Sequence, residues 1–160
     1  MRKNFFVGIG FDIHRLTLGR KLILGGIEIP FDKGLLGHSD GDVLCHAICD
    51  ALLSSAGLSD IGSFFPDTDP KYKDISSVVI LKEILARIKK KKLKIINLSA
   101  VLICETPKLN PYFKQIKTQL AKILKISENN IGLSAKTTEQ MLFSFKKQAI
   151  ACFAVVLVKR

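Results

Sequence analysis

The run Ala149-Ile150-Ala151-Cys152-Phe153-Ala154-Val155-Val156-Leu157-Val158 constrains the fold more than any other segment. It is strand-like and apolar on both parities, so neither face suits water. A strand of that kind belongs inside a sheet covered on both sides. One face is expected to meet helices and the other a second subunit. The chain therefore reads as a layered α/β (α+β) domain, a mixed sheet packed on helices. With 48% apolar residues and no low-complexity tract, its 160 residues suit one domain, 1–160, with a sizeable core. No 18-residue apolar stretch is present to span a membrane.

The first strand, 4–14, alternates. Phe5, Val7, Ile9, Phe11 and Ile13 occupy one parity and read as core-facing. Gly8, Gly10, Asp12 and His14 occupy the other, two vacant positions followed by a carboxylate and an imidazole. Residues i and i+2 lie roughly 6.6 Å apart along a strand, so Asp12 and His14 can converge on one cation. Taken alone, Asp-x-His is also what a solvent-facing strand end looks like.

A second cluster changes the balance: His38-Ser39-Asp40-Gly41-Asp42, then a helix expected over about 40–56. Ser39 or Asp40 can cap it. Leu44, Ala47, Ile48, Ala51, Leu52 and Ser55 form its buried stripe, and Asp42, His46 and Asp50 share another. Only three His occur, all between positions 14 and 46. A His/His/Asp set with an open fourth position is the donor pattern of a zinc site that meets substrate. His38 and Ser39, placed at the helix start, would add backbone amides for an anion.

The remaining pattern is a hairpin at 22–24 and 27–29 turned by Gly25-Gly26, a loop over 58–74, and a helix opened by Asp74-Ile75-Ser76. A strand at 95–104, a helix starting at Asn110-Pro111, and strands near 130–136 and 148–158 follow. The four Cys lack a Cys-x-x-Cys pair and read as buried reduced thiols, which implies a cytoplasmic location. The net charge of +11 is uneven: residues 1–74 carry 8 basic and 10 acidic side chains, residues 75–160 carry 17 and 4. The densest basic run, Lys89-Lys90-Lys91-Lys92-Leu93-Lys94, has no interleaved aromatic and suits a solvated helix end.

Three further segments carry polar chemistry. Asp60-Ile61-Gly62 and Phe65-Pro66-Asp67-Thr68-Asp69 lie in the Gly/Pro-containing loop, where an ordinary polar loop is the simpler reading. Cys104-Glu105-Thr106-Pro107-Lys108-Leu109-Asn110 leaves a strand and enters a helix, a usual place for ligand contacts. Lys136-Thr137-Thr138-Glu139 follows another strand, and hydroxyls beside a carboxylate can bind phosphate and a divalent cation together.

In this order the blocks resemble the 2-C-methyl-D-erythritol 2,4-cyclodiphosphate synthase family, across nearly the whole chain. The matching blocks are Gly10–His14, Lys33–Asp42, Asp60–Gly62 with Phe65–Asp69, Pro107-Lys108 and Thr137–Glu139. The resemblance implies a homotrimer with active sites between neighbours, and zinc on Asp12, His14 and His46. It implies a second cation, Mg²⁺ or Mn²⁺, at Glu139. Transition-state stabilisation would fall to His38 and Thr137, and phosphate binding to Ser39. Asp60, Ile61 and Gly62 would contact the sugar, and 65–69 would form a flap over it. Residues 104–109 would hold cytidine, and Asn110, Lys136, Thr138, Phe143 and Lys146 would complete the substrate contacts. The substrate would be a cytidine diphosphate ester of methylerythritol 2-phosphate, cyclised with release of CMP. No nucleic-acid or membrane partner is implied. Lys136 stands where Thr is usual, Lys146 where Arg is usual, and Phe153 where many members carry an acid lining a cavity on the trimer axis. Two other classes fit parts of the pattern: a zinc-dependent phosphohydrolase, and a non-catalytic RNA-binding module using the basic half.

Overall fold

A computed structural model describes residues 4–139 and 149–160. Seven strands and four α-helices are described: β1 (Phe5–Leu18), β2 (Leu22–Leu24), β3 (Ile27–Ile29), β4 (Lys33–Leu35), α1 (Val43–Ser55), α2 (Ile61–Phe64), α3 (Ser77–Lys90), β5 (Lys94–Cys104), α4 (Phe113–Leu124), β6 (Ile131–Lys136) and β7 (Ala149–Lys159). The main sheet has the order β4-β1-β7-β5-β6, and β2 and β3 form a separate hairpin. Only β5 and β6 run parallel, so the sheet is mixed. No described helix is long and apolar enough to cross a membrane.

The hairpin forms where Gly25-Gly26 requires it. Both glycines have positive φ, 62° and 75°, which suits the two-residue turn that matches strand twist. The loop expected over 58–74 contains α2 and a 3₁₀ turn at Pro70–Tyr72, each started by an aspartate: Asp60 accepts from Ser63 N and Asp69 from Lys71 N. Lys89–Lys92 are exposed around the end of α3, so the basic run is a solvated helix terminus.

The expected facing of β1 is reversed. Phe5, Val7, Ile9, Phe11 and Ile13 are 43–66% exposed, while Gly8 and Gly10 are buried beneath α1. A Cβ on Gly8 would lie 1.9 Å from the Ala51 carbonyl oxygen, and one on Gly10 would lie 2.0 Å from that of Ala47. The vacant positions are thus where a helix backbone sits, opposite Ala47 and Ala51. Sequence alternation revealed two faces but not which one the helix takes, because small residues can serve closest packing as well as exposure.

Strand β7 obeys the same division. Ile150, Cys152, Ala154, Val156 and Val158 are buried on the α1 side, whereas Phe153 and Val155 are 40% and 41% exposed. Ala151 on the second parity is also buried, but Phe153 and Val155 leave that face open, so the expected burial on both faces is only partly met within one chain. Phe11 pairs with Phe153 across the strands, their ring centroids 4.5 Å apart, on the uncovered side.

Replacing Gly10 with Ala should force α1 away from β1. We expect a loss of about 3 kcal/mol, roughly 6–12 °C in Tm for a chain of this size, measured by thermal unfolding. A Gly10→Ala protein that melts with the wild type would contradict this packing.

Candidate active site and metal centre

The close seating of α1 on β1 brings His46 over the end of the glycine row. Asp12 Oδ2 lies 3.0 Å from His14 Nε2 and 2.9 Å from His46 Nδ1, and the two ring nitrogens are 3.1 Å apart. Three donor atoms thus form a nearly equilateral triangle. Bonds of zinc length imply tetrahedral edges of about 3.3 Å, so a small outward relaxation would admit a cation with one coordination position open. Although burial raises the Asp12 pKa, hydrogen bonds and charge from His14 and His46 hold this carboxyl below the usual range. Burial lowers the His46 pKa, but the Asp12 contact outweighs it and the net direction is upward. The group is chemically a site for a divalent cation.

The other two members of the acidic helix stripe do different work. Asp42, not Ser39 or Asp40, caps α1, which begins at Val43. Its carboxylate accepts from Cys45 N at 3.0 Å, Gly25 N at 2.9 Å and Gly26 N at 2.7 Å. It therefore ties the hairpin to the helix start. Burial pushes its pKa up, and the three amides pull against that. Asp50 accepts from Ile61 N at 2.8 Å and anchors α2; burial raises its pKa also. The expected anion site at the helix start is filled from within: Gly41 N donates to Ser39 Oγ and Asp42 N to Asp40 Oδ1.

A cavity of about 320 Å³ opens beside the triad. His14, His38, Ser39, His46, Ile61, Phe65 and Asp67 line it, together with Tyr72, Ile75 and Ile80, which sequence reasoning did not single out. Phe65 and Tyr72 meet edge to face at 5.2 Å, giving the flap segment an apolar anchor. Asp60, Gly62, Pro66 and Thr68 are exposed beside it, and Asp69 lies with them on the 3₁₀ turn. Ser39 Oγ points to His46 Nε2 at 3.1 Å, and its carbonyl accepts from Arg20 at 2.6 Å.

The segments after β5 and β6 form a second group. Glu105 accepts from both the amide and hydroxyl of Thr138, joining the two strand ends. Thr137 Oγ1 donates to Glu139, whose backbone is left-handed at φ 51°. Cys104 is buried, with its thiol directed at the carbonyls of Thr106 and Pro107; burial, then the Glu105 charge, pushes its pKa up to about 12. Leu109 is in the core, while Lys108, Asn110, Lys136, Thr137 and Glu139 are exposed. Phe143 and Lys146 lie outside the described residues.

Register places both groups at one end of the sheet, since His14 pairs with Ile150 and Ile150 with Cys104. They are not adjacent. β7 and β5 intervene between β1 and β6, a lateral separation of about 14 Å at ordinary strand spacing.

Sequence spacing could not have found Ser77, 31 residues from His46 and at the start of another helix. Its hydroxyl lies 2.8 Å from His46 Nε2 and donates to Asp40.

Comparison with known proteins agrees with this arrangement. A profile of the YgbB family matches residues 5–159. A 2-C-methyl-D-erythritol 2,4-cyclodiphosphate synthase from Caldicellulosiruptor bescii is 51% identical over 154 residues, covering 96% of this chain and 98% of its own. A solved synthase of the same name in its CDP-bound form superposes with TM-score 0.87 at 41% identity, covering 95% of this chain and 99% of that one. The bifunctional IspDF of Campylobacter jejuni superposes with TM-score 0.94 at 36% identity; it covers 99% of this chain, which spans 43% of that longer protein.

Loss of the Asp42 carboxylate should weaken the framework of the site. Asp42→Ala leaves three amides without their acceptor, and we expect destabilisation of about 3 kcal/mol in urea unfolding. Wild-type stability would show that the hairpin and helix start do not depend on this group.

Proposed function

The chain belongs to the YgbB family, and from that premise we propose that it makes 2-C-methyl-D-erythritol 2,4-cyclodiphosphate, in isoprenoid precursor synthesis. The substrate is 4-diphosphocytidyl-2-C-methyl-D-erythritol 2-phosphate. An oxygen of its 2-phosphate attacks the β-phosphorus, the bond from that phosphorus to the CMP oxygen breaks, and CMP departs. The observation that carries this reading is the Asp12/His14/His46 triangle opening onto the His38-lined cavity, within a chain 51% identical to a synthase of that name.

Asp12, His14 and His46 are the residues that would hold zinc, and Glu139 would hold a second cation, Mg²⁺ or Mn²⁺. When bound, these ions supply charge neutralisation for the phosphates. The protein's own groups supply position. His38, on the cavity wall, donates to a phosphate oxygen, and Thr137 does so from the other side of the reacting diphosphate. Ser39 contacts phosphate if its hydroxyl turns from His46. Asp60, Ile61 and Gly62 hold the sugar, with Phe65, Pro66, Asp67, Thr68 and Asp69 folding over it to exclude water. Cys104, Glu105, Thr106, Pro107, Lys108 and Leu109 form the cytidine pocket. Asn110, Lys136, Thr138, Phe143 and Lys146 complete the substrate contacts. Held in line, the internal nucleophile reacts with an effectively unimolecular advantage.

The assembly we infer is a homotrimer. Two observations support it. The β1/β7 face carrying Phe5, Val7, Ile9, Phe11, Ile13, Phe153 and Val155 is an apolar surface of the kind soluble monomers rarely leave open. Within one chain the triad lies two strand positions from the β5 end that leads to Lys108 and three from the β6 end that leads to Glu139, about 10 and 14 Å across the sheet, so a neighbouring copy can bring the complementary half closer. Residues 1–160 act as one catalytic domain, in the reducing cytoplasm that four free, buried cysteines suit.

The reaction is tested with the cytidine substrate and ³¹P NMR of the products. A cyclic diphosphate with stoichiometric CMP is expected, whereas a phosphohydrolase would give an open-chain phosphate. His46→Ala should lose zinc and at least 100-fold in CMP release, on the order of the loss of one electrostatic group at a reacting phosphate, while keeping its fold. Full zinc occupancy in that variant would remove His46 from the ligand set.

Light scattering should report a trimer at micromolar concentration. Mixing inactive His46→Ala and Lys108→Ala chains after mild dissociation should restore part of the activity. An active monomer would refute the shared site.

A further inference from the structure

His46 has a second nitrogen, and its surroundings decide what the first can do. Nε2 lies 2.8 Å from Ser77 Oγ, inside the protein and away from Asp12. Ser77 is fully buried, and its only proton goes to Asp40 Oδ1. The Ser77 oxygen is therefore left with lone pairs, and it accepts the Nε2–H of His46. Nδ1 shares its own proton with the Asp12 carboxylate 2.9 Å away; with Nε2 held as a donor to the protein, Nδ1 is the nitrogen that yields its proton and presents an electron pair when a cation enters the triangle.

From this geometry we propose that Asp40 and Ser77 are positioning residues of the metal centre, a carboxylate–hydroxyl relay that fixes His46 in its metal-binding tautomer. The proposal rests on the reading of Asp12, His14 and His46 as metal ligands. It goes beyond that reading by assigning a role to two residues outside the ligand set.

The relay is held rigidly. Asp40 Oδ2 accepts from Ser77 N at 3.0 Å, supplying from a distant loop the capping bond that Ser76 does not make for α3. Asp40 N donates to the Ile75 carbonyl at 3.1 Å and Asp74 N to the His38 carbonyl at 2.8 Å. The loop carrying His38 and Ser39 is thus strapped to the segment that follows the flap. Ser39 Oγ lies 3.1 Å from Nε2 and 3.3 Å from Ser77 Oγ, so it can share the Nε2 proton while donating its own to the second lone pair of Ser77. Outer hydrogen bonds of this kind raise ligand basicity and orient the ring, and their loss costs about 10–100-fold in metal affinity.

Two variants separate this role from simple packing. Ser77→Ala removes the nearer acceptor, the one polarised by Asp40, and leaves Nε2 only the Ser39 hydroxyl at 3.1 Å. Asp40→Asn preserves shape but can place an amide against Ser77 Oγ, turning the hydroxyl into a donor and driving the proton of His46 to Nδ1. Zinc affinity would be measured by competition with a chromophoric chelator, alongside thermal unfolding and ¹⁵N NMR of the zinc-loaded imidazoles. We expect cooperative melting in both variants, zinc Kd raised about 10–100-fold, and a His46 Nε2–H signal that is protected in the wild type and exchanges faster in Ser77→Ala. Should Ser77→Ala fail to fold, Asp40→Asn carries the same measurement. Wild-type zinc affinity in a folded variant would overturn the relay and leave the ligand triad standing. A wild type that takes up no zinc would overturn the metal-centre reading itself, and the relay with it.

Discussion

The contact between the glycine row of β1 and the alanine row of α1 underlies the architecture of the site. With no Cβ at positions 8 and 10, the strand backbone approaches the helix closely enough that a methyl group there would overlap the carbonyls of Ala51 and Ala47. Beyond Gly10 on the same strand face come Asp12 and His14; next to Ala47 on the helix comes His46. A wider interlayer gap, as larger side chains impose, would separate the carboxylate from the second imidazole. The donor triangle therefore follows from backbone proximity as much as from the identity of its three residues.

That proximity needs helix α1 fixed along its axis, and Asp42 does this. One buried carboxylate accepts from Cys45 N and from both hairpin glycines, so a helix cap and a tertiary tether are the same group. Asp40, two residues earlier, meets the first residue of α3, and Asp50, two turns later, meets the first residue of α2. Asp40, expected to cap α1, and Asp42 and Asp50, expected to share a polar stripe with His46, are all hydrogen-bond acceptors for helix starts. Their burial would be unfavourable without those amides, and the amides would lack partners without them.

The uncovered face of β1 and β7 marks where one chain is physically unfinished. Apolar side chains there lie opposite the face that packs on α1, and Phe11 and Phe153 already meet across it. In the assembly we infer, burying this face also brings together halves of the active site that the strand order β1-β7-β5-β6 holds apart. Assembly and catalysis would then share one cause, and a substitution on the apolar face would reach the chemistry through geometry alone.

Much of this was legible in the sequence because local patterning reports local structure. The strand at β1, the Gly25-Gly26 turn, the stripe of α1, the helix after Ser76 and the strand pair before and after 104 and 136 all carry their own periodicity. The Asp12, His14 and His46 set was legible too, since i, i+2 on a strand and a lone helical His among acids restrict the options. What sequence could not decide was facing and partnership. Alternation separates two faces, and hydrophobicity pointed to the Phe5–Ile13 parity as the inward one, but docking of α1 took the glycine parity instead. Asp40, Asp42 and Asp50 carry the same charge within one short segment, yet each meets a backbone amide 11 to 37 residues away. Ser77 became visible as a partner of His46 only when α3 packed beside α1. Such pairings depend on which distant amide or hydroxyl the folded layers bring within about 3 Å, a distance that short-range sequence spacing does not encode.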